Sequence, residues 1–128
     1  MKKYLLALPI LLLPLPSFAQ QTDGKGLHNN RDSISGVPDK KLVWLKIEYP
    51  PGSGTIYHTH PGDEYDVILG GEWSIRHGEG DWNVFAPGQS WHNPDGASRM
   101  NRTSETVTTM NTFVVDKNKP LVIPYVKQ

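Results

Sequence analysis

Glycine and proline interrupt this 128-residue chain so often that no stretch after residue 20 can form a long amphipathic helix. The chain holds 12 glycines and 11 prolines, and the runs between them carry β-branched and aromatic residues without a sustained helical period. Short runs of this composition, bounded by turn residues, are typical of antiparallel β-strands. Seven runs fit this description: 42–49, 55–60, 64–69, 72–77, 81–86, 89–93 and 106–115. The sequence therefore predicts an all-β domain with a single antiparallel β-barrel.

The first 20 residues differ from the rest in composition. Lys2 and Lys3 precede an apolar run over residues 4–15, which is followed by the small-x-small pattern Ser17-Phe18-Ala19. This order predicts a secretory signal peptide over residues 1–19, cleaved near Ala19. A spanning helix is disfavoured because the run is shorter than the ~20 apolar residues needed and contains prolines. We expect an exported protein, periplasmic or secreted, without a stable membrane anchor.

The residues after the signal peptide predict one small domain. Residues 20–38 are polar and are predicted to form a flexible N-terminal arm, and residues 39–128 to form the folded domain. The whole chain has 13 basic and 13 acidic residues, and loss of Lys2 and Lys3 would leave 11 basic against 13 acidic. This balance gives no basic footprint for nucleic acid. The chain also has no cysteine, so a metal or a homodimer would help to stabilise so small a fold.

Two histidines and an acid occupy positions that suit a metal site. His58 and His60 lie two residues apart in a predicted strand, so their side chains face the same side. Glu64 follows the turn at Pro61-Gly62, and its carboxylate can therefore return to the same point. Two imidazoles and a carboxylate form the facial triad of Fe(II) oxygenases, and similar sets hold Mn, Ni, Cu or Zn. The sequence therefore predicts a divalent-metal site at His58, His60 and Glu64.

These residues belong to a longer pattern that resembles the first motif of the cupin superfamily, G-x5-H-x-H-x3-E-x6-G. Its fixed positions are matched by Gly52, His58, His60, Glu64 and Gly71. The resemblance extends over about residues 42–120 and is strongest to small, single-domain, exported type-2 cupins. It implies a jelly-roll β-barrel with a metal inside, bound by the two histidines, the glutamate and a histidine from a second motif.

The second cupin motif, G-x5-P-x-G-x2-H-x3-N, can be placed on this sequence in two registers. One register puts His92 in the histidine position but displaces the glycines. The other register matches at Gly88, Pro94 and Gly96. It puts Arg99 in the histidine position, and we favour it because it leaves enough chain after Gly71 for another hairpin. Arginine offers no lone pair to a metal, so either three ligands leave open positions or His92 is the fourth ligand.

Asp66 lies two residues after Glu64, so alternation places both carboxylates on the same interior side. A lone buried carboxylate is costly, and we therefore hypothesise that Asp66 pairs with Arg99. Asp66 is alternatively a solvated general base or an extra ligand at the mouth, or it faces outward after a bulge. Asp66 and Arg99 are our candidate catalytic residues, since the arginine fork also suits a substrate carboxylate.

Two functions follow from this reading, and a third, a barrel that has lost its metal and serves only structurally, is disfavoured because all three ligands are present at full spacing. The first is a metal-dependent enzyme, an oxygenase, lyase or isomerase, that uses Fe, Mn, Ni or Zn on a small organic molecule. The second is a non-catalytic cupin of the cell envelope that binds a metal or a small molecule, for instance as a sensor. No residue in the sequence names the substrate.

Overall fold

The computed structural model describes residues 24–126, which form ten β-strands and no helix that could cross a membrane. The strands are β1 Lys25–Ile34, β2 Val37–Tyr49, β3 His58–Thr59, β4 Gly62–Gly70, β5 Trp73–His77, β6 Trp82–Phe85, β7 Ser90–Asn93, β8 Arg99–Arg102, β9 Val107–Asp116 and β10 Ile123–Pro124. The predicted all-β class is confirmed. The signal peptide expected over residues 1–19 lies outside the described residues.

The strands pair into two antiparallel sheets of five strands each. The first has the order β1-β2-β9-β4-β7 and the second the order β10-β3-β8-β5-β6. No strand of the first sheet pairs with a strand of the second within residues 24–126, so the single closed barrel is corrected to two separate sheets. Long strands such as β2 and β9 extend the first sheet, whereas the second is built from strands of two to five residues.

The expected flexible arm over residues 20–38 also needs correction for its described part. Residues Lys25–Ile34 form β1, which pairs with β2 in a hairpin that runs from Lys25 opposite Glu48 to Ile34 opposite Val37. The side chains of β1 are exposed along nearly the whole strand, on both faces. A strand with no buried face needs no alternation of polar and apolar residues, which is why its sequence looks like a polar arm.

Strand β9 shows how the interior between the sheets is organised. Its alternate residues are buried, and they are apolar at both ends and polar in the middle: Val107, Thr109, Asn111, Phe113 and Val115. One apolar cluster packs around Ile68, Trp73, Ile75 and Val107, and a second around Val43, Phe113 and Val115. The polar layer between these two clusters is where the predicted site residues lie.

Two glycines allow the backbone to approach β9 closely at the two ends of β4. A Cβ on Gly62 would lie 2.0 Å from the carbonyl oxygen of Val114. Gly71 has a φ of 75°, and a Cβ there would lie 2.1 Å from the carbonyl oxygen of Thr106. Any side chain would clash with backbone at either place, so these glycines hold β4, and the acids on it, against β9.

Candidate functional site

The two predicted histidine ligands are both buried and point into the polar layer. His58 is 4% exposed and His60 is 5% exposed, and their ring centroids are 4.9 Å apart. The Nδ1 of His58 lies 2.7 Å from the carbonyl oxygen of Ile56, and the Nδ1 of His60 lies 2.6 Å from that of Leu121. A carbonyl can only accept, so Nδ1 carries the proton in both rings. A neutral ring then keeps its lone pair on Nε2.

Arg99 joins the two acids of β4 from the opposite sheet. Its Nη2 donates to Glu64 Oε1 at 2.5 Å and lies 3.3 Å from His60 Nε2, while its Nη1 donates to Asp66 Oδ2 at 3.3 Å. Arg99, Glu64 and Asp66 are all buried, at 4%, 0% and 3% exposure. The hypothesised pairing of Asp66 with Arg99 is therefore confirmed, and the register that places Arg99 in the second motif agrees with this inward orientation.

The Arg99 guanidinium faces two carboxyl groups, and the pKa values of these groups shift in opposite directions. Burial alone would raise the pKa of Glu64, but Arg99, His60 and hydrogen bonds from Asp66 and Asn93 hold it below its ordinary value. Burial and the neighbouring Glu64 charge raise the pKa of Asp66 well above its ordinary value. Asp66 therefore holds a proton more strongly than Glu64 does, and the charge of Glu64 is the one that Arg99 compensates at close range.

The histidines carry no charge in this environment. Burial, and then the Arg99 charge, lower the pKa of His58 to about 4. Burial also lowers the pKa of His60, although Glu64 opposes this effect. The 3.5 Å separation of His60 Nε2 from Glu64 Oε2 is therefore not an ion pair, and His60 instead accepts a hydrogen bond from Arg99.

Asn93 and His77 extend the cluster towards the surface, and neither was recognised from the sequence as a site residue. Asn93 is 2% exposed, and its Nδ2 donates to Glu64 Oε2 at 2.7 Å. Its Oδ1 accepts from His77 Nε2 at 2.5 Å, so the exposed His77 fixes the orientation of the Asn93 amide. No sequence pattern predicts this contact, because it joins the ends of two strands in different sheets.

His92 is not close to the other predicted ligands. Its side chain is 47% exposed, and its ring stacks on Tyr65 with centroids 4.6 Å apart. Its Nε2 lies 3.3 Å from Asp63 Oδ1. Tyr65 alternates with the buried Glu64 and Asp66 on β4, so His92 lies on the outer face of the first sheet. The prediction of His92 as a fourth ligand is therefore corrected.

The residues present do not fit a divalent metal in this arrangement. His58, His60 and Glu64 direct lone pairs into the layer, as ligands would, but the Arg99 guanidinium already lies against His60 Nε2 and Glu64 Oε1. Within residues 24–126, no group of three or more His, Cys, Asp or Glu side chains is placed to hold a metal ion. A cation would have to displace Arg99 before it could reach these atoms.

A small cleft has His58 in its wall. Its volume is about 180 Å³, and its walls are formed by Gly24, Ile47, Tyr49, Gly54, Thr55, Ile56, His58 and Val122. Tyr49 packs on Trp73 with ring centroids 4.6 Å apart. Burial raises the pKa of Tyr49 to about 12, so its hydroxyl stays protonated. The sequence placed Tyr49 only among the strand aromatics, and its position in the cleft comes from the end of β2.

Solved structures with the same strand arrangement identify the fold. An uncharacterised Klebsiella pneumoniae protein with a double-stranded β-helix domain matches with a TM-score of 0.60 and 16% identity, over 83% of this chain and 86% of its own. An RmlC-like cupin from Shewanella frigidimarina matches with a TM-score of 0.55 and 18% identity, over 70% of this chain and 86% of its own. The chain has a cupin fold. No family model and no curated protein matches its sequence.

Among the other cupin-fold neighbours is the DMSP lyase DddQ from Ruegeria pomeroyi. It matches with a TM-score of 0.60 and 20% identity over 92% of this chain, which spans 59% of the length of DddQ. At these identities the likeness concerns the fold alone. What the cupin fold does in this chain depends on its own site, in which Arg99 contacts Glu64, Asp66 and His60.

Proposed function

We propose that this protein is a small-molecule-binding cupin in which the Arg99 guanidinium takes the place of a metal cation. The observation that carries the proposal is the contact of one guanidinium with Glu64, Asp66 and His60 inside the polar layer. The ligand would enter by the cleft that has His58 in its wall. The proposal corresponds to the second of the two functions expected from the sequence, without the metal.

The charges of the cluster support this proposal. Glu64 and Arg99 compensate each other, the pKa of Asp66 is raised and those of both histidines are lowered, so the buried layer offers little uncompensated negative charge to a further cation. A divalent ion would bring two positive charges and would push the permanently charged Arg99 away from its partners. Separating a buried ion pair costs about 3–5 kcal/mol, which an incoming metal would have to overcome.

The second candidate is a metal-dependent oxygenase, lyase or isomerase that uses Fe, Mn, Ni or Zn on His58, His60 and Glu64. One observation favours it: the Nδ1 of each histidine is held by a backbone carbonyl. Such carbonyls orient metal-binding histidines and fix Nε2 as the ligand atom. Lyase chemistry is also represented among proteins of similar fold by the DMSP lyases.

Metal titration separates the two candidates. Untagged protein, stripped with a chelator, is titrated calorimetrically with Mn, Ni and Zn, and anaerobically with Fe(II). We expect no stoichiometric binding by the wild type and one equivalent in an Arg99→His variant, which completes the motif. Arg102→His is the matched control, because Arg102 lies on the same strand, is exposed and packs over the Trp82 ring. One equivalent in the wild type, lost in a His58→Ala/Glu64→Ala variant, would contradict our proposal and support the metal enzyme.

A further inference from the structure

The walls of the cleft beside His58 carry no formal charge. Its side chains are the apolar Ile47, Ile56 and Val122 and the polar Tyr49, Thr55 and His58. None of the eight residues that form the walls is an aspartate, a glutamate, a lysine or an arginine. An ionic ligand would therefore lose its hydration in the cleft without gaining an oppositely charged partner, which is strongly unfavourable.

Arg99 does not provide the missing charge. Its guanidinium is committed to Glu64, Asp66 and His60, and the residue is only 4% exposed. A ligand carboxylate could reach it only by displacing one of these internal acids. The structure thus argues against the expectation that Arg99 binds a substrate carboxylate.

Two of the residues that line the cleft, His58 and Tyr49, each carry a polar side-chain atom that can hydrogen-bond to a ligand. His58 donates from Nδ1 to Ile56, so its neutral ring offers Nε2 as an acceptor. Neither this Nε2 nor the Tyr49 hydroxyl makes a hydrogen bond with residues 24–126 in the structure. The two atoms together offer one acceptor and one donor, which is the pair that a single hydroxyl group satisfies. Thr55 is less available, because its Oγ1 already accepts from the backbone of Asn101.

The size of the cleft limits the ligand further. A volume of about 180 Å³ corresponds to roughly six water molecules at ~30 Å³ each. We propose that the cleft binds a small uncharged organic molecule whose hydroxyl donates to His58 and accepts from Tyr49. The apolar part of the molecule would pack on Ile47, Ile56 and Val122. This inference rests on the proposed function, since it names the class of ligand for the same cleft.

The test uses phenol as the probe, with anisole and benzoate as matched compounds. Binding to the full mature chain is followed by two-dimensional amide NMR, which also locates each compound. Phenol should shift the signals of residues around Tyr49 and His58. Anisole cannot donate to His58, and one lost hydrogen bond should weaken its binding by about 2- to 10-fold. Benzoate should show no binding at the cleft.

A pair of tyrosine variants provides the structural control. Tyr49→Phe keeps the ring on Trp73 and removes only the hydroxyl, so phenol binding should weaken by about 2- to 10-fold. Tyr57→Phe removes a hydroxyl that donates to the Gly78 carbonyl away from the cleft, and it should leave phenol binding unchanged. Equal effects of the two variants would overturn the role of Tyr49.

The outcomes distinguish this inference from the proposed function. Benzoate binding at the cleft more tightly than phenol would overturn the uncharged ligand class and leave a small-molecule cleft in place. The absence of shifts around Tyr49 and His58 with all three compounds would overturn both the uncharged ligand class and the small-molecule function of the cleft. The metal titration of the Arg99 variants is independent of either result.

Discussion

Replacing Arg99 by methionine tests whether one cation organises the buried layer. Methionine has a similar length and no charge, so Glu64 would keep its hydrogen bonds with Asn93 and Asp66 but would lose its cation. An ionised Glu64 at 0% exposure cannot remain without a cation, and it should take up a proton. From an ordinary pKa of 4.5, protonation at pH 7 costs about 3.4 kcal/mol, at about 1.36 kcal/mol for each pH unit. We therefore expect a loss of about 3 kcal/mol in the free energy of unfolding.

The loss in the free energy of unfolding of Arg99→Met should depend on pH. In Arg99→Met the folded-state pKa of Glu64 lies above its unfolded value, so the penalty is absent below pH 4.5 and grows as the pH rises. At pH 5 the same calculation gives about 0.7 kcal/mol. Urea unfolding at both pH values, followed by tryptophan fluorescence, to which the buried Trp73 contributes, measures the difference.

Two further variants complete this experiment. Glu64→Gln/Arg99→Met removes both charges and should recover most of the stability lost at pH 7. Arg102→Met removes an exposed arginine from the same strand and should cost no more than about 1 kcal/mol. If Arg99→Met costs no more than Arg102→Met, or costs the same at pH 5 and pH 7, then Arg99 does not compensate Glu64.

Three other predictions follow from the site and the chain. The pKa of His58 is lowered to about 4, so its contribution to stability is present above pH 6.5 and is lost as the pH falls towards 4. Imidazole NMR of metal-free protein measures this pKa. The pKa of Tyr49 is raised to about 12, so its contribution is present below pH 10 and is lost between 10 and about 12; ultraviolet titration should lose its last component in Tyr49→Phe. Mass spectrometry of the exported protein should find Gln20 as the first residue; retention of residues 1–19 would refute the signal peptide.

The local part of the site could be predicted from the sequence because it depends on alternation along single strands. His58 and His60, and Glu64 and Asp66, are two residues apart, and each pair is buried as the period of a strand requires. Because burying a lone carboxylate is costly, we predicted a charged partner for Asp66, and Arg99 is in contact with it. Burial and charge, together with the favoured register of the second cupin motif, were therefore sufficient to infer a contact between residues 33 positions apart.

Other features depend on how the strands assemble, and strand patterns do not encode this. Strand β1 buries neither face, so it lacks the alternation by which strands are recognised. His92 and Asn93 are adjacent on β7, yet His92 faces outward and Asn93 faces Glu64. A shift of one residue in the pairing would exchange their roles. Only the pairing of Glu64 opposite Asn93 decides which of them belongs to the site.

The position of Arg99 explains how its side chain supplies the positive charge of the buried layer. Its Cα pairs directly with that of His58 across β8 and β3, so the two side chains start from neighbouring points of the second sheet. A histidine in place of Arg99 would be shorter and would offer a lone pair, so the positive charge would have to come from a metal. The longer arginine reaches the acids of the facing sheet and carries the positive charge on its own terminus. An arginine at this place therefore offers no ligand and supplies a cation, which is why we expect Arg99→His to permit metal binding and Arg99→Met to leave a buried charge uncompensated.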